Sequence, residues 1–63
     1  MTYAQLIPPF SRDIAWVRVY ANRRDTMNCM NKAQIRESLA IYGEKTVRRV
    51  LPGYNFLLVW LEE

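Results

Sequence analysis

The chain has 63 residues, nine Lys plus Arg, six Asp plus Glu and no His, for a formal charge of +3. That length holds one domain, whose folding buries only about 60% of the surface the unfolded chain exposes. One cysteine and no histidine exclude an internal disulfide, a Cys/His zinc site and any catalytic dyad or triad built on histidine.

Small scaffolds usually need a staple, and the one left here is association with a second copy. Apolar residues make up 51% and charged residues 24%, which is ordinary globular usage. The longest apolar run, Phe56 to Leu61, is too short to span a membrane. The opening MTYAQLIPPF has neither the basic start nor the long apolar core of a secretory leader. With a single unpaired cysteine, the expected compartment is a reducing cytoplasm.

Residues 1–9 read as an arm or short helix. Thr2 and Gln5 have capping-box spacing, Tyr3, Leu6 and Ile7 are the docking side chains, and Pro8-Pro9 end the segment.

Residues 11–24 read as an amphipathic helix. At 100° per residue, Trp16, Tyr20, Val17, Ala21 and Ile14 fill one arc of about 160°. Ser11 is placed to cap it and Asp13 suits its first turn. The β-propensity of Ile14, Trp16, Val17, Val19 and Tyr20 keeps a strand over 14–21 as the alternative.

Residues 22–31 are polar and turn-prone. They hold Cys29, either a small packed residue or a thiol activated by Arg23 and Arg24.

Residues 32–51 read as a second helix, capped by Asn31 with Gln34 as box partner. Ile35, Leu39, Tyr42, Thr46 and Val50 form its stripe, which keeps phase through Gly43 at a cost of ~1 kcal/mol. The alternative is a break at Gly43 with a strand over 46–51. After Pro52-Gly53, residues 54–61 read as a strand apolar on both faces.

The fold class expected is therefore α+β in a single domain, residues 1–63. Two helices pack on one strand, and the strand pairs with its copy across a two-fold axis in an intertwined homodimer. The alternative order is β-α-β-β. Trp16, Tyr20, Ile35, Leu39, Tyr42, Phe56, Leu58 and Trp60 are the expected core and dimer interface, and an apolar cleft at its edge would take a partner's amphipathic helix.

Little in the chain suits catalysis. It has no glycine-rich phosphate loop, and Asp13, Asp25, Glu37, Glu44, Glu62 and Glu63 are scattered. No catalytic, cofactor-binding or metal residue is assigned, and the protein is not expected to be an enzyme. Arg23, Arg24, Arg48 and Arg49 are the candidate nucleic-acid contacts, which would make a small DNA-binding transcriptional regulator. On a helix the arginines Arg36, Arg48 and Arg49 would diverge, with Glu37 and Glu44 between them, so this is the second choice.

The opening MTYAQLIPPF, the middle AIYGEKTVRRVLPGYNF, the chain length and the expected two helices and one strand resemble a small early protein of lambdoid temperate phages, encoded between the exonuclease and excisionase genes. The resemblance spans the chain and contains no signature motif. It implies a dimeric, non-enzymatic protein of the host bacterial cytoplasm that favours lytic over lysogenic development through contacts with a host or phage protein. It carries over no catalytic residue.

Overall fold

The computed structural model describes residues 1–10 and 13–63. Helix α1 (Tyr3–Phe10) leads into strands β1 (Trp16–Tyr20) and β2 (Thr26–Cys29), then helix α2 (Lys32–Tyr42), then strands β3 (Val47–Pro52) and β4 (Phe56–Leu61). The strands form one mixed sheet in the order β2-β1-β4-β3. The two hairpins are antiparallel, and the central pair, β1 and β4, is parallel. Two helices and four strands in a mixed sheet make an α+β fold.

Alternation sets the layers. Val17 and Val19 of β1 and Leu57, Val59 and Leu61 of β4 point to one face, where Tyr3, Leu6 and Ile7 of α1 and Ile35 of α2 join them in the core. Trp16, Arg18, Tyr20, Phe56, Leu58 and Trp60 fall on the opposite face, which neither helix of the described residues covers.

Helix α1 begins with the expected capping box. The Thr2 backbone N–H donates to Gln5 Oε1 (2.8 Å) and the Gln5 N–H to Thr2 Oγ1 (3.3 Å). The helix then runs through Pro8 and Pro9, where an end was expected. Those prolines deprive the Ala4 and Gln5 carbonyls of helical donors, but both residues are exposed and water can serve them. Two more first-turn donors find partners after α2: Tyr3 N–H reaches Lys45 O (2.9 Å) and Ala4 N–H reaches Gly43 O (3.0 Å).

Within the span 11–24, where a helix is expected, residues 16–20 form β1 and the chain then turns into β2; the expected cap, Ser11, lies outside the described residues. Val17 stands opposite Cys29 on one side and Leu57 on the other, so β1 has partners on both edges. That pairing, together with β-branched and aromatic content, outweighs the helical arc. The turn is closed by Asn22 Oδ1, which accepts from Arg24 N–H (2.8 Å) and Asp25 N–H (2.9 Å).

The second expected helix is shorter than 32–51. Asn31 caps it, Oδ1 accepting from Gln34 N–H (2.9 Å), while Gln34 Oε1 reaches back to Met30 N–H (2.6 Å). It ends at Tyr42, with Gly43 as C-cap. Thr46 then pairs with Thr2, and β3 begins. A bulge between Val47 and Arg49 shifts the register, so that Val47 and Val50 both pack against the core three residues apart. A strand thereby imitates helical spacing. The alternative order β-α-β-β places strands where β1 and β3 lie and lacks β2, while the arm or short helix expected over 1–9 is α1.

Strand β4 lies inside the sheet, paired along one edge with β1 and along the other with β3. Its backbone groups are paired within the chain along both edges, so in this fold the strand needs no second copy to satisfy them.

Candidate functional site

The uncovered sheet face is built from strand positions that alternate with the core. Pairing in register sets Trp16 beside Phe56 and Tyr20 beside Trp60. Both pairs stack: the centroids of Trp16 and Phe56 are 4.5 Å apart at 6°, those of Tyr20 and Trp60 4.8 Å at 9°. Such pairs contribute about 0.5–1.5 kcal/mol beyond their burial.

Two arginines lie over the rings. Arg18 stands 5.7 Å from the Trp16 centroid, and its Nε donates to Asn28 Oδ1 (2.7 Å), which orients the guanidinium. Arg49 stands 5.2 Å from the Trp60 centroid. The cross-strand neighbours of Arg18 are Asn28 and Leu58, and that of Arg49 is Trp60, so neither faces a carboxylate in register. Leu58 and Leu51 pair between the two stacks, and Leu51 is exposed. The result is an apolar, cationic surface.

At the ends of the parallel strands this face opens into a shallow groove of about 750 Å³, lined by Tyr20, Trp60, Arg23, Arg48, Glu62 and Glu63 among others. The β1–β2 turn brings Arg23 to it and the β3 bulge brings Arg48. Glu63 Oε1 accepts from the Arg23 backbone N–H (3.2 Å). A smaller apolar hollow of about 240 Å³ lies between the helices, against Ile7, Pro8, Ile35 and Leu39.

The expected core residues thus separate into two groups. Ile35 is in the core, and Leu39 and Tyr42 pack against it. Trp16, Tyr20, Phe56, Leu58 and Trp60 are half-buried on the uncovered face. Of the candidate nucleic-acid contacts, Arg23 and Arg48 line one groove and Arg49 sits on the face, while Arg24 stays exposed in the turn; the divergence expected of Arg36, Arg48 and Arg49 assumed that all three stood on one helix. Divergence was a property of the helix, which β3 replaces. Arg18, Asn28 and Leu51 were not singled out from the sequence. The alternation of Trp16, Arg18 and Tyr20 against Val17 and Val19 is the signal that finds the first.

Cys29 is fully buried. Burial pushes its thiol pKa up, only partly offset by a hydrogen bond with Ser38, so it is a packed residue rather than an activated nucleophile. Tyr3, equally buried, has its phenol pushed up to about 12 by burial. Ser38 Oγ donates to Ile35 O (2.6 Å), which leaves it to accept from Tyr3 Oη (2.7 Å).

Among the described residues, no helix is long and apolar enough to cross a membrane. A scan against protein-family models matches no family, and searches of curated proteins and of solved structures find no match.

Proposed function

We propose that the protein is a non-enzymatic binding module that works by protein–protein contact through the uncovered face of its sheet. One observation carries this reading: Trp16, Tyr20, Phe56 and Trp60, stacked in pairs, flank Leu58 and carry Arg18 and Arg49 over them. Trp, Tyr and Arg are the residue types that dominate protein-binding hot spots. The rings and cations are already fixed by stacking and by the Asn28 hydrogen bond, so binding would cost little ordering entropy.

The resemblance to the early proteins of lambdoid phages supports a host or phage protein as partner, a role in favouring lytic development, and action in the host cytoplasm. Self-association is a separate matter from the face.

The test is capture of partners from host lysate by three proteins: wild type, Leu58→Glu on the sheet face, and Ile41→Glu on the exposed side of α2. Loss of the same partner with Leu58→Glu and its retention with Ile41→Glu is the expected result. Equal capture by all three contradicts the reading.

A second reading, a small nucleic-acid-binding regulator, is favoured by the meeting of Arg23 and Arg48 with Tyr20 and Trp60 in one groove. It predicts oligonucleotide affinity that falls steeply with salt. The protein-contact reading predicts weak, unselective binding at physiological salt.

A further inference from the structure

The edges of the sheet are β3 and β2, and the chain treats them differently. In an antiparallel pair, alternate residues bond to the neighbouring strand, and those between them turn their N–H and C=O outward. Gly53 N–H bonds to Phe56 O (2.8 Å), so along the register Leu51 and Arg49 bond to β4, while Val50 and Pro52 turn outward. Pro52 has no N–H to offer. At the other end a bulge separates Val47 from Arg49, Met1 O takes the Val47 N–H (2.8 Å), and Thr2 bridges Thr46. Arg48 and Arg49 add charge. A proline, a bulge, cations and a covering segment are the devices that keep an edge from pairing.

Strand β2 has none of them. Ala21 N–H bonds to Asp25 O (2.9 Å), so along the register Met27 and Cys29 bond to β1, while Thr26 and Asn28 turn outward. Both residues are exposed, and among the described residues no hydrogen bond takes up their outward backbone groups. The strand, TMNC, holds no charge and no proline.

We propose that β2 pairs antiparallel with β2 of a second copy of this chain, joining two sheets edge to edge about a two-fold axis at Met27. The inference goes beyond the docking face and does not rest on it. The free groups fix the register. Centred on Met27, Thr26 faces the partner's Asn28 and Asn28 the partner's Thr26, and every outward N–H and C=O of these residues is matched. Centring on Asn28 would need the Met30 N–H, which Gln34 Oε1 already holds (2.6 Å). Centring on Thr26 would need the Arg24 N–H, which Asn22 Oδ1 holds (2.8 Å).

Side chains suit the same register. Half-buried Met27 meets its own copy at the axis. Asn28 Oδ1 accepts from Arg18, which leaves Asn28 Nδ2 for the partner's Thr26 hydroxyl. Arg24 and Asp25, the nearest charges in sequence, fall opposite Met30 and Cys29, so no like charges are opposed. The axis stands perpendicular to the joined sheet, so both aromatic faces lie on one side and the docking surface is doubled.

The experiment is amide hydrogen exchange of the whole chain by nuclear magnetic resonance, beside sedimentation equilibrium, from about 20 µM to about 1 mM. By mass action, Thr26 and Asn28 should exchange roughly three- to tenfold more slowly at the upper concentration, as the sedimenting mass rises from one chain toward two. Met27 and Cys29, bonded to β1, should be slow throughout. Thr26→Pro removes an outward N–H and no hairpin bond, and should abolish the concentration dependence. Met27→Cys sets a thiol at the axis and should cross-link two chains under oxidised glutathione, where Asn28→Cys and the wild type with its buried Cys29 should not.

Free exchange at Thr26 and Asn28 at every concentration overturns the proposal. So does a dimer in which those two amides stay unprotected, or cross-linking of Asn28→Cys in preference to Met27→Cys. Protection that arises only when a different protein is added assigns the edge to a foreign strand and equally overturns self-pairing.

Discussion

The guanidinium of Arg49 lies 5.2 Å from the centroid of Trp60, and Tyr20 stacks on that indole from the neighbouring strand at 4.8 Å. Because β4 runs between β3 and β1, the cation and the phenol occupy opposite sides of one ring. The β3–β4 hairpin and β1, distant from it in sequence, are thus joined on the uncovered face by a single layered contact.

That layering makes the Tyr20–Trp60 pair energetically coupled. A double-mutant cycle of Tyr20→Ala and Trp60→Ala, read by urea unfolding, should give a coupling of about 0.5–1.5 kcal/mol. Additive effects of the two substitutions would mean that the rings do not stack in solution.

Gly43→Ala separates the two ways of reading residues 32–51. In a continuous helix, alanine at 43 would gain up to about 1 kcal/mol. In the observed fold a Cβ at Gly43 would come within 2.5 Å of the Leu39 carbonyl oxygen, where Gly43 N–H also bonds, so the substitution should destabilise. A rise in melting temperature for Gly43→Ala would favour the helix.

How much of this was legible in the sequence depends on the element. The Thr2/Gln5 box, the Asn31 cap and the strand after Pro52-Gly53 rest on local chemistry and are where the sequence put them. β1 mimics a helix because its outer residues Trp16 and Tyr20 are nearly as apolar as its inner Val17 and Val19, which hides a period of two. β3 mimics a helix because its bulge turns Val47 and Val50, three apart, to the same side. β2 has four residues, and only Met27 and Cys29 turn inward, too few to stand out from a polar loop. The site shared these errors, since it exists only where β1, β4 and β3 lie side by side.

Gly53 touches the same face from its other end. A Cβ there would run into the Phe56 ring, which is itself stacked on Trp16. Gly53→Ala should cost about 1–3 kcal/mol, the usual range for overpacking. It should also change the near-ultraviolet circular dichroism as Trp16 and Phe56 separate. Full stability with an unchanged spectrum would contradict the close contact.

Alkaline stability should depend on Tyr3. Burial raises its phenol to about 12 from an ordinary 10.0, so the folded state holds its proton to higher pH than the unfolded state does. The resulting stabilisation is complete below pH 10.0 and is lost as pH rises toward about 12. The raised Cys29 thiol adds a loss of the same sign. Tyr3→Phe should cost about 0.5–1.5 kcal/mol near neutrality, through the lost hydrogen bond to Ser38. It should also flatten the decline above pH 10.0 in urea titrations. A decline as steep as that of the wild type would contradict this assignment.

The parallel pairing of β1 with β4 creates both the core and the uncovered aromatic face. The direct test is a nuclear Overhauser spectrum of the protein, with a mixed sample of labelled and unlabelled chains. The account predicts contacts within one chain between the rings of Trp16 and Phe56 and of Tyr20 and Trp60, together with slowly exchanging amides along Phe56–Leu61. Helical contacts over residues 14–21, with strand contacts of 54–61 appearing only between labelled and unlabelled chains, would contradict it.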